Sequence, residues 1–282
     1  MTRVIETIRD IRSYVSGVHR NGNRAAFVPT MGAFHRGHLS LMHQARKDCG
    51  AVIVSIFVNP LQFSAGEDYD RYPRRLSQDL RMAESEKVDI LFVPSVAEVY
   101  PKGFESYVDQ LEDGLPSKMC GEFRPGHFRG VMTVVAKLFS IVRPDVAYFG
   151  QKDYQQYLIL KRLSIDLNFD IDVKVMPTVR EEDGLAMSSR NVYLGPKQRK
   201  DAAVLWRALQ RAEEMVGAGE NSATKVTTEM KRVIRRVKGS RVDYIAIVNS
   251  ETLEPVREIK GKTLIALAVR IGKARLIDNL II

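Results

Sequence analysis

Two cysteines in 282 residues, Cys49 and Cys120, are too few for a disulfide framework and lack metal-ligand spacing. Such a chain suits a reducing compartment, and a cytoplasmic location is expected. Long apolar runs are missing as well. None approaches the roughly 20 residues that a membrane-spanning helix needs, so no membrane partner is expected. The opening residues MTRVIETIRD hold no continuous apolar core, which excludes a secretory signal from the expectation. Internal repeats and low-complexity segments are absent. Histidine is scarce, with 5 residues, so two of them at a spacing of three stand out.

What is present is ordinary for a globular protein: 45% apolar and 27% charged residues. The formal charge of +9 is compatible with nucleic acid, an acidic surface or small anionic substrates. The densest basic stretch, residues 231–238, has its apolar residues at helical spacing. It reads as the solvated face of an amphipathic helix, and no nucleic-acid partner is expected from it.

Short apolar runs alternate with helix-period segments over the first two-thirds. Ile5, Ile8, Ile11 and Val15 recur at helical spacing, with Thr2 as the expected N-cap. Strands are expected at 25–28, 51–58, 90–93, 146–149 and 171–175, with helices at 37–47, 76–86, 128–142 and 154–167. This alternation predicts an α/β fold with a Rossmann-like, doubly wound parallel sheet over residues 1–176. Beyond it, helices at 196–216 and 223–237 precede strands at 242–248, 263–269 and 274–279. Residues 177–282 are therefore expected to form a second, smaller α+β domain. In a doubly wound sheet, ligands gather outside the carboxyl ends of the strands, which directs attention to the residues just after each one.

The first such segment runs from Pro29 to His38 and contains His35-Arg36-Gly37-His38 where a strand gives way to a helix. A helix N-terminus offers unpaired N–H groups and partial positive charge, which suits phosphate. Gly37 would permit close approach, and the imidazoles would donate to phosphate oxygens whose charge grows in a transition state. A metal site and a pair of capping histidines are the alternatives. Zinc would need further ligands, and only His43 lies near in sequence.

Three further segments follow strands or join the two halves. Asn59 and Gln62 are neutral amides able to hold hydroxyl or carboxylate oxygens, although Asn-Pro is also a plain turn signal. Gly150-Gln151-Lys152-Asp153 supplies a turn, a cation for phosphate and a carboxylate that caps a helix or assists magnesium; Gln156 follows on the first helical turn. Met187-Ser188-Ser189-Arg190 reads either as a second, mobile phosphate clamp or as an ordinary interdomain loop. Residues 121–130 have the character of a lid or substrate loop, with His127 as readily structural as functional.

A strand followed by His-X-Gly-His, with a distant Met-Ser-Ser-Arg, resembles the nucleotidyltransferase superfamily that bears HIGH and KMSKS signatures. Within it, PTMGAFHRGHLSL, FVNPLQF, EDYDRYPR, YFGQKDYQQ and REEDGLAMSSRN resemble the pantothenate synthetase family in wording and order, as does VDYIAIVNSETLEP. The departures are small: Ala186 and Arg190 replace the lysines of the KMSKS form, and Phe34 stands where leucine is usual. The resemblance implies ATP- and Mg2+-dependent joining of pantoate to β-alanine through a pantoyl adenylate, by a homodimer with a C-terminal lid. It implies ATP contacts from Met31, Gly32, Ala33, Phe34, His35, Arg36, Gly37 and His38, with His38 and His35 catalytic. Gly150, Gln151, Lys152, Asp153, Val179, Met187, Ser188, Ser189 and Arg190 complete that set. Gln62, Gln156 and Asn59 would serve pantoate, and Gln62 also β-alanine. Two rivals are a nucleotidyl transferase whose product keeps the nucleotide and a non-enzymatic RNA-binding protein.

Overall fold

The computed structural model describes residues 1–282 except Ala65 and Glu112. In chain order the elements of the first part are β1 (Arg3–Ile5), α1 (Ile8–Arg20), β2 (Ala25–Thr30), α2 (Arg36–Asp48), β3 (Ala51–Ile56), α3 (Leu76–Ser85) and β4 (Ile90–Phe92). They are followed by α4 (Val96–Val99), α5 (Cys120–Phe123), α6 (His127–Val142), β5 (Val146–Gly150), α7 (Tyr154–Asp166) and β6 (Asp172–Met176). The six strands form one sheet of order β1-β4-β3-β2-β5-β6, parallel throughout.

The alternation of side chains along the central strands explains why both faces must be covered. Ala25, Phe27 and Ile53 point into a core shared with α1, α6 and α7. Their neighbours Ala26, Val28, Val52 and Val54 point into a second core with α2 and α3. Each large side chain buried in this way contributes about 1.5–3 kcal/mol. The doubly wound sheet expected from the sequence is thus present.

Two expectations near the N-terminus are corrected. Residues 3–5 form an edge strand and not the start of a helix. Thr2 is not a cap, since its hydroxyl donates to the Val88 carbonyl at 2.7 Å. The cap of α1 is Thr7, whose Oγ1 accepts from the Asp10 N–H at 3.1 Å.

The second part comprises α8 (Pro196–Ala202), α9 (Val204–Gly217), α10 (Ala223–Ile234), β7 (Arg241–Asn249), β8 (Thr263–Ile271) and β9 (Ala274–Ile281). The helix expected at 196–216 is two helices that meet at Ala203. The three strands form an antiparallel sheet of order β7-β8-β9. Ile265, Leu267 and Val269 of β8 face α9 and α10, while Leu264 and Ala266 join the core of the first part. The small sheet is therefore wedged between its own helices and the large sheet's helical layer. In the basic run, Val233, Ile234 and Val237 are buried and Lys231, Arg232, Arg235, Arg236 and Lys238 are exposed, as the amphipathic reading requires.

From β2 the chain moves to β3 on one side and later returns as β5 on the other. The carboxyl ends of β2 and β5 thus diverge, and the crevice between them is where the fold leaves room for a ligand.

Candidate active site

β2 ends at Thr30, and residues 31–35 carry the chain over the crevice into α2. This connection is held from below by Asp79 of α3, a buried carboxylate that accepts from the Ala33 N–H at 2.9 Å and the Phe34 N–H at 2.7 Å. Burial raises the Asp79 pKa above the ordinary carboxylate value, with the two N–H bonds opposing. Nothing in the local sequence marks Asp79; it is an acidic residue in an ordinary helix.

His35 is the N-cap of α2, and its Nδ1 accepts from the Gly37 N–H at 3.1 Å. His38 returns the arrangement, its Nδ1 accepting from the His35 N–H at 3.3 Å. The rings lie 4.0 Å apart, centroid to centroid. Gly37 is required because a Cβ there would come within 2.9 Å of the His35 ring. A nitrogen that accepts carries no proton, so in the neutral rings the hydrogen sits on Nε2. Burial, followed by the Lys152 charge, pushes His35 down to about 4, with Asp153 opposing. Burial and then the neighbouring His35 and Lys152 hold His38 well below the ordinary imidazole range. At neutral pH both rings are uncharged donors.

Both histidines therefore cap the helix through Nδ1, and neither Nε2 has a hydrogen-bond partner among the described residues. His43 is turned toward Glu86 at 3.3 Å, and no group of three His, Cys, Asp or Glu among the described residues could hold a metal by itself.

A cavity of 240 Å³ opens beneath the two rings. Met31, His35, Gly37 and His38 form one wall, and Gly150, Lys152 and Asp153 form the wall after β5. Val179 and the segment Met187-Ser188-Ser189-Arg190 close a third side. The floor is apolar, with Val131, Val134, Val135 and Leu138 of α6 and Phe149 of β5. Gln62, Gln156 and Asn59 also line it, so all three amides singled out in the sequence converge here.

Five residues expected at the nucleotide do not line this cavity. Gly32 lies back against Ile56 and Asp79, and Phe34 is buried in the core beside α2. Ala33 and Phe34 border a separate cleft with Asp79 and Ser189. The exposed Arg36 reaches Glu181 at 3.5 Å. The Gln151 amide is occupied by Asn279 of β9 at 3.3 Å.

Asn59 is tied into the protein on both sides of its amide. It is 1% exposed, and its Nδ2 donates to the Gly130 carbonyl at 3.0 Å and to Gln62 Oε1 at 3.1 Å. Its Oδ1 accepts from the Tyr100 hydroxyl at 2.8 Å and the Leu61 N–H at 3.3 Å. With both amide atoms engaged, Asn59 orients Gln62, whose Nε2 reaches the Met31 sulfur at 3.0 Å. Gln156 by contrast has no side-chain hydrogen bond among the described residues, leaving its amide available. His127 is a brace: Nδ1 is 2.8 Å from the Gln62 carbonyl, and Nε2 is 2.8 Å from Arg124 Nη1. Because arginine only donates, Nε2 accepts and Nδ1–H donates to Gln62. Arg124 is itself clamped by Glu67 at 2.7 Å.

The segment 187–190 is docked in this structure. Ser189 Oγ donates to the Ala33 carbonyl at 3.0 Å, and Met187 N–H donates to the Val179 carbonyl at 3.0 Å. Arg190 is paired with Asp68. A second, larger cavity of 620 Å³ borders β8 and β9 and shares Lys152, Asp153, Gln156, Ser188 and Arg190 with the first. The site therefore opens toward β9, where Asn279 Nδ2 donates to the Gln151 and Lys152 carbonyls at 2.8 and 3.0 Å.

A parallel sheet with its crevice between β2 and β5, crowned by neutral imidazole donors at a helix N-terminus, defines an α/β enzyme of the HIGH-signature, nucleotide-using class. Within that class the chain belongs to the pantoate-beta-alanine ligase family, whose sequence model matches residues 3–281. It is 53% identical over 282 residues to the pantothenate synthetase of Heliobacterium modesticaldum, covering 99% of both chains. The pantothenate synthetase of Pelotomaculum thermopropionicum is also 53% identical, over 99% of this chain and 98% of that one. Among solved structures, pantothenate synthetase from Thermus thermophilus superposes with a TM-score of 0.94 at 47% identity, covering 99% of each chain. A pantoate-beta-alanine ligase from Francisella tularensis, complexed with beta-gamma ATP and beta-alanine, gives 0.82 at 34% identity, covering 100% of this chain and 98% of that one.

Proposed function

We propose that the protein condenses pantoate with β-alanine to form pantothenate, with ATP cleaved to AMP and pyrophosphate. The observation that carries this reading is the convergence of the two donor imidazoles, Lys152 and the free Gln156 amide on one cavity in a chain matched by the family over its length.

In the first step a pantoate carboxylate oxygen attacks the α-phosphorus, the bond to the bridging oxygen breaks, and pyrophosphate leaves. His35 and His38 donate Nε2–H to phosphate oxygens as charge builds there, and Lys152 adds a full positive charge. With their pKa values held low, the rings serve as hydrogen-bond donors, and His38 is acid-like only in that sense. Pantoate carries two methyl groups on one carbon, which suit the floor of Val134, Val135, Leu138 and Phe149. Its oxygens suit the amides of Gln62 and Gln156. In the second step the free amine of β-alanine attacks the acyl carbon, the acyl–phosphate bond breaks, AMP departs and the amine proton is released. Gln62, at the junction with β-alanine in this reading, is held by Asn59 and His127.

Magnesium fits as a passenger of the nucleotide. Asp153 lines both cavities, and its carboxylate pairs with Lys152 at 3.5 Å and with no other charged side chain among the described residues. One carboxylate plus phosphate oxygens is a usual magnesium environment, and the ion would neutralise triphosphate charge there.

The same reading takes residues 1–176 as the ATP- and pantoate-binding unit and 177–282 as the smaller lid, in a cytoplasmic homodimer carried over from the resemblance. It assigns small molecules, and no nucleic acid, as partners. No helix of the described residues is long and apolar enough to cross a membrane. The test is a product assay with ATP, Mg2+, pantoate and β-alanine. AMP and pantothenate are expected in equal amounts, with sustained AMP release only when both acids are present. Formation of ADP, or a product that retains the nucleotide, defeats the reading.

A further inference from the structure

Asp68 and Arg190 lie 122 residues apart and meet in a two-point pair. Arg190 Nε donates to Oδ2 at 2.9 Å and Nη2 donates to Oδ1 at 2.9 Å. The pair consumes one whole edge of the guanidinium. Nη1 has no hydrogen-bond acceptor among the described residues, and Arg190 lines both cavities whereas Asp68 lines only the larger. The guanidinium carbon also sits 5.7 Å from the Tyr72 ring centroid and 6.0 Å from that of Phe63. A carboxylate on one edge and two rings beside it leave a normally mobile side chain little freedom.

Stapling the loop after β3 to the 187–193 segment does not explain this investment. The Tyr193 hydroxyl already donates to the Arg71 carbonyl at 3.1 Å, joining the same two loops without Arg190. We propose that Asp68 is a positioning residue for adenylate formation: it grips Arg190 by its Nε–Nη2 edge so that Nη1 is held ready for an anionic phosphate oxygen. This rests on the reading of Arg190 as an ATP contact. A preset donor gains catalytic value because it need not reorganise when charge develops.

The experiment is a double-mutant cycle with Asp68→Asn and Arg190→Ala, following kcat and KM for ATP and pantoate and the thermal midpoint of each protein. Asp68→Asn is expected to lower kcat/KM for ATP by about 10- to 100-fold, the range for a hydrogen bond to a charged group. The pantoate KM should stay within about twofold. In the Arg190→Ala background, Asp68→Asn should change ATP kinetics by no more than about twofold, because its effect passes through the missing guanidinium. A purely structural pair predicts a lower midpoint with both substrates affected alike, and that result overturns the inference. So does a lower ATP KM in Asp68→Asn, which would make the carboxylate a competitor of phosphate. If Asp68→Asn does not fold, the cycle is run with Asp68→Glu, where a smaller ATP-specific loss is expected and unaltered ATP kinetics overturn the inference. Unimpaired ATP kinetics in Arg190→Ala remove the parent reading, whereas an intact Asp68→Asn beside a crippled Arg190→Ala removes this inference alone.

Discussion

Gly130 on α6 packs so closely on Leu61 that a Cβ at position 130 would lie 2.1 Å from the Leu61 carbonyl oxygen. The Gly130 carbonyl also receives the Asn59 amide, so helix and turn are locked at the position that presents Gln62. Gly130→Ala must push them apart. Overpacking of this kind costs about 1–3 kcal/mol, and for a protein of this size the thermal midpoint should fall by about 3–10 °C. The pantoate KM should rise with it. A variant with unchanged midpoint and pantoate KM would show that the contact relaxes without consequence.

Gln62→Ala removes one polar partner from the cavity. Pantoate affinity is expected to fall by the equivalent of about 1–3 kcal/mol, with ATP affinity much less affected. Titration calorimetry with each substrate checks this; ATP binding lost while pantoate binding persists would reverse the assignment. His127→Gln should follow in the same direction but more weakly, because it acts on the Gln62 backbone.

His38→Ala separates the two half-reactions. A preorganised donor of this type is typically worth about 100- to 1000-fold in rate, or about 2.7–4 kcal/mol. That loss should fall on adenylate formation from ATP and pantoate. Supplied pantoyl adenylate should still react with β-alanine at a substantial rate, since pyrophosphate has already gone. Because His38 Nδ1 also caps α2, some loss of thermal midpoint is expected as well. Equal losses in both half-reactions would assign the residue to structure alone.

Acid should destabilise the protein through its histidines. His35 at about 4 and His127 at about 3 lie below the unfolded value of about 6.5, as does His38. Above that value both states are neutral and the groups contribute no pH dependence. As pH falls below it, the unfolded chain takes up protons that the native state refuses, so stability drops. The His127 contribution should continue down to about pH 3 and amount to a few kcal/mol. Urea unfolding between pH 7 and 4 is expected to show a falling free energy, with a shallower slope in His127→Gln. A stability that rises over that interval, with the same slope in His127→Gln, would overturn the expectation for His127.

The parallel sheet and the histidine turn were legible because their signals are local. Residues 51–56 are an unbroken β-rich run, and His35-Arg36-Gly37-His38 needs only its own spacing to place two rings over a helix start. The edge strand β1 was not legible. Ile5 continues the helical spacing of Ile8, Ile11 and Val15, and only pairing with β4, far along the chain, makes residues 3–5 extended. The supports of the site were hidden for a similar reason. Asp79 under Ala33, Asp68 on Arg190 and Glu67 on Arg124 are ordinary charged residues until the fold joins them over 46 to 122 positions. The break at Ala203 has no glycine or proline to announce it. The amides of Asn59 and Gln62 stand out together in the sequence, but only the fold shows that Asn59 is the more deeply buried and bonds to Gln62.

The bonds from Asn279 to the Gln151 and Lys152 carbonyls set an order of assembly. During synthesis, all six strands of the large sheet have been made by the time residue 176 emerges. The side chain that braces the turn bearing Lys152 does not yet exist. About a hundred residues later β9 arrives and fastens that turn from across the crevice. A nascent chain can thus possess the Rossmann-like sheet and both histidines while the turn that bears Lys152 still lacks its tether to Asn279.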